Sequence, residues 1–308
     1  YYDGVPLENG KSAGEGASID FATWAFPMPF VFPSGARCSN FLQLAQACLK
    51  NPQETAEVLQ KGFLGGFFGS LCRVDLAMAA GNAARAPDAD RAVEEMLRIT
   101  LSRARTRDAV MGEEFGTTGH GPRRWVLDPI DGTKNFVRGV PVWATLIALF
   151  DGDEPVVGLV SAPALNRRWW AAKDVGAWTG RRLENATRCR VSDVTDLSDA
   201  SLSYSSLSGW EERGRLDGFL DLTRSVWRTR AYGDFWSYVL VAEGAVDVAC
   251  EPEVSVWDLA ALDVIVREAG GRFTDLAGNP GPSGGHALAS NGALHDAALA
   301  HVGLPAVD

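Results

Sequence analysis

The sequence predicts a mixed α/β (α+β) protein in which two β-sheets are layered with helices. Short apolar segments that are typical of strands cluster between residues 125 and 172, and strand and helix patterns alternate from residue 200 onward. The chain has 308 residues, of which 46% are hydrophobic and 22% charged. A chain of this length and composition can bury a large core in one or two structural units.

Residues 1–80 form an atypical N-terminal segment. Residues 1 to about 37 show little periodicity and contain Pro27, Pro29 and Pro33, which disfavour helices and central strands, so we expect an extended arm there. The alternative is a disordered tail, although the many aromatic residues favour burial. From residue 39 to residue 85 the apolar spacing is typical of helices, with breaks at Asn51-Pro52 and in the glycine-rich stretch 62–69.

The following elements are predicted in order from Asp88, which we expect to cap a helix that buries Val93 and Leu97. Strands are expected at residues 108–111, 125–127, 143–150, 156–161 and 167–172, the later ones paired as a meander. The second half is expected to place strands at 200–205, 246–249, 272–275 and 287–290 and helices at 235–243, 257–269 and from Leu294. We therefore divide the remainder into two halves, residues 81–190 and residues 191–308.

The charge and the cysteine pattern exclude several classes of protein. Lys and Arg number 29 and Asp and Glu number 39, and the resulting formal charge of −10 argues against binding to nucleic acid or an anionic membrane. The five cysteines form no C-x-x-C pair, which is typical of reduced cysteines in a cytoplasmic protein. We interpret the four histidines, His120, His286, His295 and His301, as surface or incidental residues, because they lack the spacing of metal ligands.

Neither a membrane span nor a signal peptide is expected. The most apolar run, residues 62–69, is far shorter than the roughly 18 residues of a spanning helix. The first residues lack the basic and apolar regions of a signal peptide.

The most informative segment is the apolar strand 125–127, which runs into Asp128-Pro-Ile-Asp131-Gly132. Two carboxylates so close together at the end of a strand are costly unless they meet cations, and hard divalent cations prefer oxygen ligands. Gly132 lets the backbone approach a ligand closely, and the amides of Gly132 and Thr133 could face an anion. Taken alone, the same pattern is also a turn motif.

Two further acids strengthen the interpretation as a metal site. Glu113 follows the strand candidate 108–111, and Asp258 opens an apolar helix. Each has an ordinary alternative, since Glu113 suits a solvated loop and Asp258 suits the positive end of the helix dipole.

Together these segments resemble the inositol monophosphatase superfamily of metal-dependent, lithium-sensitive phosphatases. The residues that carry the resemblance are Gly112 to Glu114, Asp128 to Phe136, Trp257 to Ala261 and Glu268 to Gly271. The resemblance covers about residues 88–303. It implies a layered α-β-α-β-α fold of the sugar-phosphatase type, a homodimer and a small phosphate ester as substrate.

The resemblance also implies roles for single residues. The ligands of a cluster of two or three Mg²⁺ ions, which Mn²⁺ could replace, would be Glu113, Asp128, Asp131, Asp258 and the carbonyl of Ile130. The amides of Gly132 and Thr133 would bind the phosphate, and Thr133, Asp90 and Glu113 would be the catalytic residues, with Asp90 as the partner of Thr133. Carboxylates that hold Mg²⁺ meet the needs of phosphate ester hydrolysis, namely an activated water, neutralised phosphoryl oxygens and a stabilised leaving group.

Within the superfamily, four segments are similar to the histidinol-phosphate phosphatase branch, which acts in histidine biosynthesis. They are Lys134 to Trp143, Ser161 to Trp170, Ser205 to Trp210 and Arg230 to Phe235. Histidinol phosphate carries an ammonium and an imidazole, so Asp234 and Glu251 are candidates for binding its cationic end. For Asp234 the alternative is a helix N-cap before Phe235.

Two other functions remain open from the sequence. One is an inositol-1-phosphate or broad sugar-phosphate phosphatase. The other is a catalytically impaired homologue that binds metal and phosphate, because the threonine expected shortly before Asp90 is absent, with Pro87 near its place, and the lysine-bearing strand of the family has no counterpart.

Overall fold

The computed structural model describes residues 25–31, 37–40, 86–181 and 185–304. The helices predicted between residues 41 and 85 therefore lie outside the described residues. Strands β1 (Ala25–Val31) and β2 (Arg37–Asn40) pair as an antiparallel hairpin. The chain is thus extended at residues 25–31, as expected, but residues 39 and 40 belong to a strand and not to the predicted helix.

An eight-stranded sheet is formed by the chain between residues 109 and 188. Its strands are β3 (Ala109–Gly112), β4 (Gly116–Thr118), β5 (Arg123–Asp131), β6 (Ala144–Asp151), β7 (Glu154–Ala162), β8 (Arg167–Ala172), β9 (Gly176–Gly180) and β10 (Thr187–Arg188). The spatial order is β10-β9-β8-β7-β6-β5-β3-β4, and only β3 and β5 run parallel to each other. The predicted meander is confirmed in β6, β7 and β8.

A five-stranded sheet follows in the second half of the chain. Its strands are β11 (Ser201–Ser203), β12 (Arg228–Arg230), β13 (Val248–Glu251), β14 (Arg272–Thr274) and β15 (Ala287–Ser290). The spatial order is β12-β11-β13-β15-β14, with β11 parallel to both of its neighbours and the remaining pairs antiparallel.

Helices cover both outer faces and fill the space between the sheets. They are α1 (Ala86–Ala104), α2 (Thr133–Arg138), α3 (Leu207–Glu212), α4 (Leu216–Ser225), α5 (Asp234–Ala242), α6 (Val256–Glu268) and α7 (His295–Val302). Among the helices of the described residues, none combines the length and the apolar character needed to cross a bilayer.

The alternation of side chains along the strands builds the layers. In β5, Trp125 and Leu127 face the apolar side of α1, whereas Val126 faces the core that contains α5 and α6. In the second sheet, Ala249 faces that same central core, and Val248 faces the outer helices. The order of layers is therefore α1, the large sheet, α5 with α6, the small sheet, and α4 with α7, which confirms the predicted α-β-α-β-α fold.

Three further details of the predicted residues differ from the structure. Helix α1 begins at Ala86, so Asp88 lies within its first turn and does not cap it. Strand β5 runs on through Asp131, with a register shift against β6 after Asp128, so the acidic motif is the bulged end of a strand and not a turn. His295 is fully buried and hydrogen-bonded to Thr274 and Ser290, so it is a core residue and not a surface one.

Gly158 in β7 allows α6 to lie directly on the large sheet. A Cβ atom at this position would come within 2.3 Å of the carbonyl oxygen of Ala261. Since Ala261 lies one turn after Asp258, this contact also fixes the start of α6.

We expect Gly158→Ala to lower the free energy of unfolding by about 1 to 3 kcal/mol, because the added methyl group forces α6 away from the sheet. Urea denaturation measures this loss. Glu154→Ala, at an exposed position of the same strand, should change the free energy by less than about 1 kcal/mol. Equal stability of Gly158→Ala and the parent protein would contradict the close packing.

Candidate active site

The end of β5 places two buried acids next to each other in space. Asp128 is 1% exposed and Asp131 is 8% exposed. Pro129 lies between them, and the hydroxyl of Thr145 on β6 donates to its carbonyl oxygen at 2.8 Å, which pins the bulge to the sheet. The bulge turns the carboxylates of Asp128 and Asp131 toward the same space.

Helix α6 supplies a third acid from the second half of the chain. Ser255 and Asp258 form a capping box, in which the backbone N–H of Ser255 donates to Oδ2 of Asp258 at 2.8 Å. Asp258 is therefore an acid at a helix N-terminus, as the alternative interpretation expected. The cap uses one carboxylate oxygen and orients the side chain toward β5.

Oxygen atoms of Asp128, Asp131 and Asp258 lie within 4.8 Å of one another. Burial raises the pKa of each of these carboxyl groups, and the neighbouring carboxylates raise the pKa values of Asp128 and Asp131 further. Oδ1 of Asp128 is buried and has no hydrogen-bond partner among the described residues. A set of hard oxygen donors with an unpaired buried oxygen fits a divalent cation such as Mg²⁺.

Glu113 and Asp90 extend the acidic cluster on the side of α1. Glu113 lies in the turn between β3 and β4, and its carboxyl group contacts that of Asp128. Asp90 is buried, whereas Glu113 is exposed in its loop, as the alternative interpretation expected, with its carboxyl group only partly covered. This burial and the neighbouring acids raise the pKa values of both groups to about 7. Oδ1 of Asp90 is also buried without a hydrogen-bond partner among the described residues. Both predicted residues therefore lie at the site, although neither belongs to the compact group of three.

The turn after β5 is shaped by Gly132, which begins α2 in a left-handed conformation with φ of 79°. A Cβ atom there would lie 3.0 Å from the carbonyl oxygen of Val142 and 3.2 Å from a carboxylate oxygen of Asp234. Glycine is thus required both by the backbone angle and by the space. The hydroxyl of Thr133 donates to the carbonyl oxygen of Ile130 at 2.9 Å, which differs from the expected pairing with Asp90.

Asp234 and Glu251 lie on the other side of Asp131. The N–H of Phe235 donates to Oδ2 of Asp131 at 2.8 Å, so the start of α5 is attached to the end of β5. Gly233 is the N-cap of this helix, so the alternative role of Asp234 as N-cap is wrong. Asp234 instead has φ of 49°, and its Oδ2 accepts a hydrogen bond from Asn135 at 3.1 Å.

Glu251, at the end of β13, is buried and accepts hydrogen bonds from the hydroxyl groups of Ser205 and Tyr238. Burial raises its pKa to about 7, and the charge of Asp234 adds to this rise. The hydroxyl of Ser205 also accepts a hydrogen bond from the N–H of Asp234 at 2.9 Å, so Ser205 links the two acids.

A cavity of about 500 Å³ opens beside Asp258. Its wall includes Arg213, Glu253 and His286, of which Arg213 and Glu253 form an ion pair. Of the acids described above, Asp258 is the one that lines this cavity.

Sequence reasoning missed the residues that hold the site acids in place. These are Glu94, Asn135, Thr145, Ser205 and Tyr238. Apart from Asn135, which lies in the turn next to Gly132, each of these residues is distant in sequence from the acid or turn that it contacts. A signal existed only for Asn135 and Ser205, which lie in segments that carry the family resemblance.

The model of the inositol monophosphatase family matches residues 54–303, and the chain belongs to this family. It is accordingly a phosphatase. It is 68% identical over 219 residues to the histidinol-phosphatase of Streptomyces coelicolor, covering 70% of this chain and 82% of that protein. It is 62% identical over 213 residues to the histidinol-phosphatase of Mycobacterium tuberculosis, covering 69% of this chain and 82% of that protein.

The fold is shared with solved structures. The inositol monophosphatase of Anabaena (Nostoc) sp. PCC 7120 superimposes with a TM-score of 0.65 at 28% identity, covering 73% of this chain and 89% of that chain. The layered arrangement described above is thus that of the family.

The raised pKa values predict how the protein without bound metal responds to pH. The folded acids bind protons up to about pH 7, whereas unfolded Asp and Glu release them near pH 4, so the folded state holds more protons between these values. The free energy of unfolding in the presence of a chelator should therefore fall as the pH rises from about 4 to 7.

Millimolar Mg²⁺ should raise the melting temperature, and more so at pH 8 than at pH 5. Thermal unfolding with chelator or Mg²⁺ across this range measures both effects. Asp131→Asn, which removes one of the repelling charges, should flatten the pH dependence with chelator. A melting temperature that Mg²⁺ leaves unchanged at pH 8 would contradict the interpretation as a metal site.

Proposed function

We propose that this chain hydrolyses histidinol phosphate to histidinol and phosphate, in a reaction that depends on Mg²⁺. The observation that carries the proposal is the carboxylate of Asp234, which lies against Gly132 in the turn that follows the acidic strand end. An acid beside a phosphate-binding turn suits a substrate that carries a cation close to its phosphate. Identities of 68% and 62% to two histidinol-phosphatases support the same substrate.

We propose that Glu113, Asp128, Asp131, Asp258 and the carbonyl of Ile130 hold two or three Mg²⁺ ions, which Mn²⁺ can replace. The unpaired oxygen of Asp128 and the short separation of the three aspartates support this assignment. When bound, the cations supply an activated water and neutralise the charge of the phosphoryl group.

The turn at Gly132 and Thr133 is proposed to bind the phosphate through its backbone amides. Its left-handed glycine brings the main chain close to the acidic cluster without a side chain in between. The hydroxyl of Thr133 donates to the carbonyl oxygen of Ile130 and keeps its lone pairs free to accept a hydrogen bond from water. We assign to Thr133, Asp90 and Glu113 the orientation of that water.

Asp234 and Glu251 are proposed to bind the cationic end of the substrate. Glu251 is buried and Asp234 is half-buried, both lie near Asp131, and hydrogen bonds from Asn135, Ser205 and Tyr238 fix their positions. A buried carboxylate forms a strong hydrogen bond with an ammonium or an imidazolium.

The organisation of the chain suits separate roles in metal binding and substrate binding. We propose that residues 81–190 form the half that binds the metal and residues 191–308 the half that binds the organic part of the substrate, with Asp258 as the ligand that reaches across. Residues 1–53 precede the part of the chain that the family model matches, so the atypical N-terminal segment is shorter than the expected residues 1–80. We further propose that the protein is a cytoplasmic homodimer that acts in histidine biosynthesis, with neither nucleic acid nor membrane as a partner.

Phosphate release from histidinol phosphate should be fast with Mg²⁺ and absent with a chelator. Asp131→Asn should reduce kcat by at least about a hundredfold, because it removes a charged ligand from the centre of the cluster. A malachite green assay on histidinol phosphate and inositol 1-phosphate, side by side, measures both. Equal rates would favour a broad phosphatase, and binding of Mg²⁺ without release from either substrate would favour a catalytically impaired homologue.

Asp234→Asn should lower kcat/KM for histidinol phosphate by about 10- to 100-fold, the value of one charged hydrogen bond. The rate with inositol 1-phosphate, which carries no cation, should stay within about threefold, since the amide keeps the shape of the side chain. Asp153→Asn, which removes an exposed charge, is the matched control. An equal loss of kcat/KM with both substrates would show that Asp234 serves the metal site and does not bind the ammonium group of the substrate.

A further inference from the structure

The turn that carries Glu113 is held by a buried acid on α1. The N–H of Glu114 donates to Oε2 of Glu94 at 2.7 Å, and the N–H of Phe115 donates to Oε1 at 3.3 Å. Glu94 is 0% exposed. The turn between β3 and β4 therefore rests with two consecutive amides on one carboxylate from a different element.

Arg98, one turn further along α1, completes this contact. It donates to Oε1 of Glu94 at 2.6 Å and to the hydroxyl of Thr118 at 2.9 Å. It also donates to the carbonyl oxygens of Val110 and Gly116, one on each strand of the hairpin. The guanidinium thus compensates the buried charge of Glu94 and fastens both strands to the helix.

Glu94 packs closely against the backbone of the turn. A Cβ atom on Gly112 would lie 2.1 Å from Oε1 of Glu94. The carboxylate therefore packs directly on the backbone of the residue that precedes Glu113. On the other side, the N–H of Glu113 donates to the carbonyl oxygen of Leu127 at 3.3 Å, next to Asp128.

We propose that Glu94, held by Arg98, is a positioning residue that fixes Glu113 against Asp128. The inference rests on the proposed function, in which Glu113 holds the metal. Asp90 lies one turn before Glu94, so α1 both contributes an acid to the site and sets the position of a second one. Residues that orient a metal ligand from behind commonly change metal affinity by 10- to 100-fold.

Metal binding distinguishes positioning from simple electrostatics, because the two predict opposite results for Arg98→Gln. Loss of a positive charge near the cluster would by itself strengthen the binding of a divalent cation. Loss of the hydrogen bonds by which Arg98 and Glu94 hold the turn should weaken the binding of that cation. We expect the full chain with Arg98→Gln, and likewise with Glu94→Gln, to bind Mn²⁺ at least about tenfold more weakly, measured from the electron paramagnetic resonance signal of free Mn²⁺.

Two matched controls accompany these variants. Glu95→Gln removes an exposed charge from the same helix. Val93→Ala removes buried apolar volume and leaves the hydrogen-bonding groups of Glu94 and Arg98 in place. Both should bind Mn²⁺ within about threefold of the parent protein. Arg98→Lys, which keeps the charge but loses the planar fork, should fold readily and show an intermediate loss of affinity.

We expect the variants to lose metal affinity but to keep their turnover once the metal site is saturated. At saturating metal, kcat of Glu94→Gln should return to within about threefold of the parent value. If Arg98→Gln or Arg98→Lys bound Mn²⁺ as tightly as the parent protein or more tightly, the positioning role would be overturned while the proposed function stood. If the parent protein itself did not bind Mn²⁺, the proposed function would fail first.

Discussion

Repulsion between buried carboxylates is the constraint on which the rest of this structure depends. Three acids that converge within 4.8 Å, with two more beside them, would separate if they stood on mobile loops. Each is instead fixed by a rigid element. Asp128 and Asp131 belong to a strand that is paired on both sides, and Asp258 is tied into the first turn of a buried helix. The folding energy of the two sheets thus holds together a group of charges that would otherwise drive themselves apart.

The surrounding hydrogen bonds divide the carboxylate oxygens into two kinds. One oxygen of Asp131 accepts from Phe235, and one oxygen of Asp258 accepts from Ser255. These bonds orient the side chains, while an oxygen of Asp128 and one of Asp90 stay without a partner among the described residues. An unpaired buried oxygen is costly for a protein that only has to fold, and two of them in one acidic cluster support the proposal that a ligand binds there.

Local patterns predicted much of the fold and the chemistry of the site. The meander and the buried helix α6 were predicted because their apolar runs are long and bounded by glycine or proline. Asp128 and Asp131 were singled out because they follow an apolar strand directly, whereas Asp90 was assigned only through the family resemblance. Contacts between distant segments could not be predicted from the sequence. Nothing in the residues around Glu94 indicates that its carboxylate accepts hydrogen bonds from two backbone N–H groups of a turn 20 residues later. The φ of Asp234 and the partner of the Thr133 hydroxyl likewise depend on packing that periodicity does not encode.

Helix α6 lies between the two sheets and is also the element that carries Asp258. A cation held by Asp128, Asp131 and Asp258 would join residues more than a hundred positions apart, much as a disulfide bond does, but reversibly. Such a crosslink acts on the rate at which the two halves separate as well as on the equilibrium between folded and unfolded states. The lifetime of the enzyme against proteolysis would then follow the free concentration of divalent cations around it, so that the ion needed for turnover would also protect the chain that uses it.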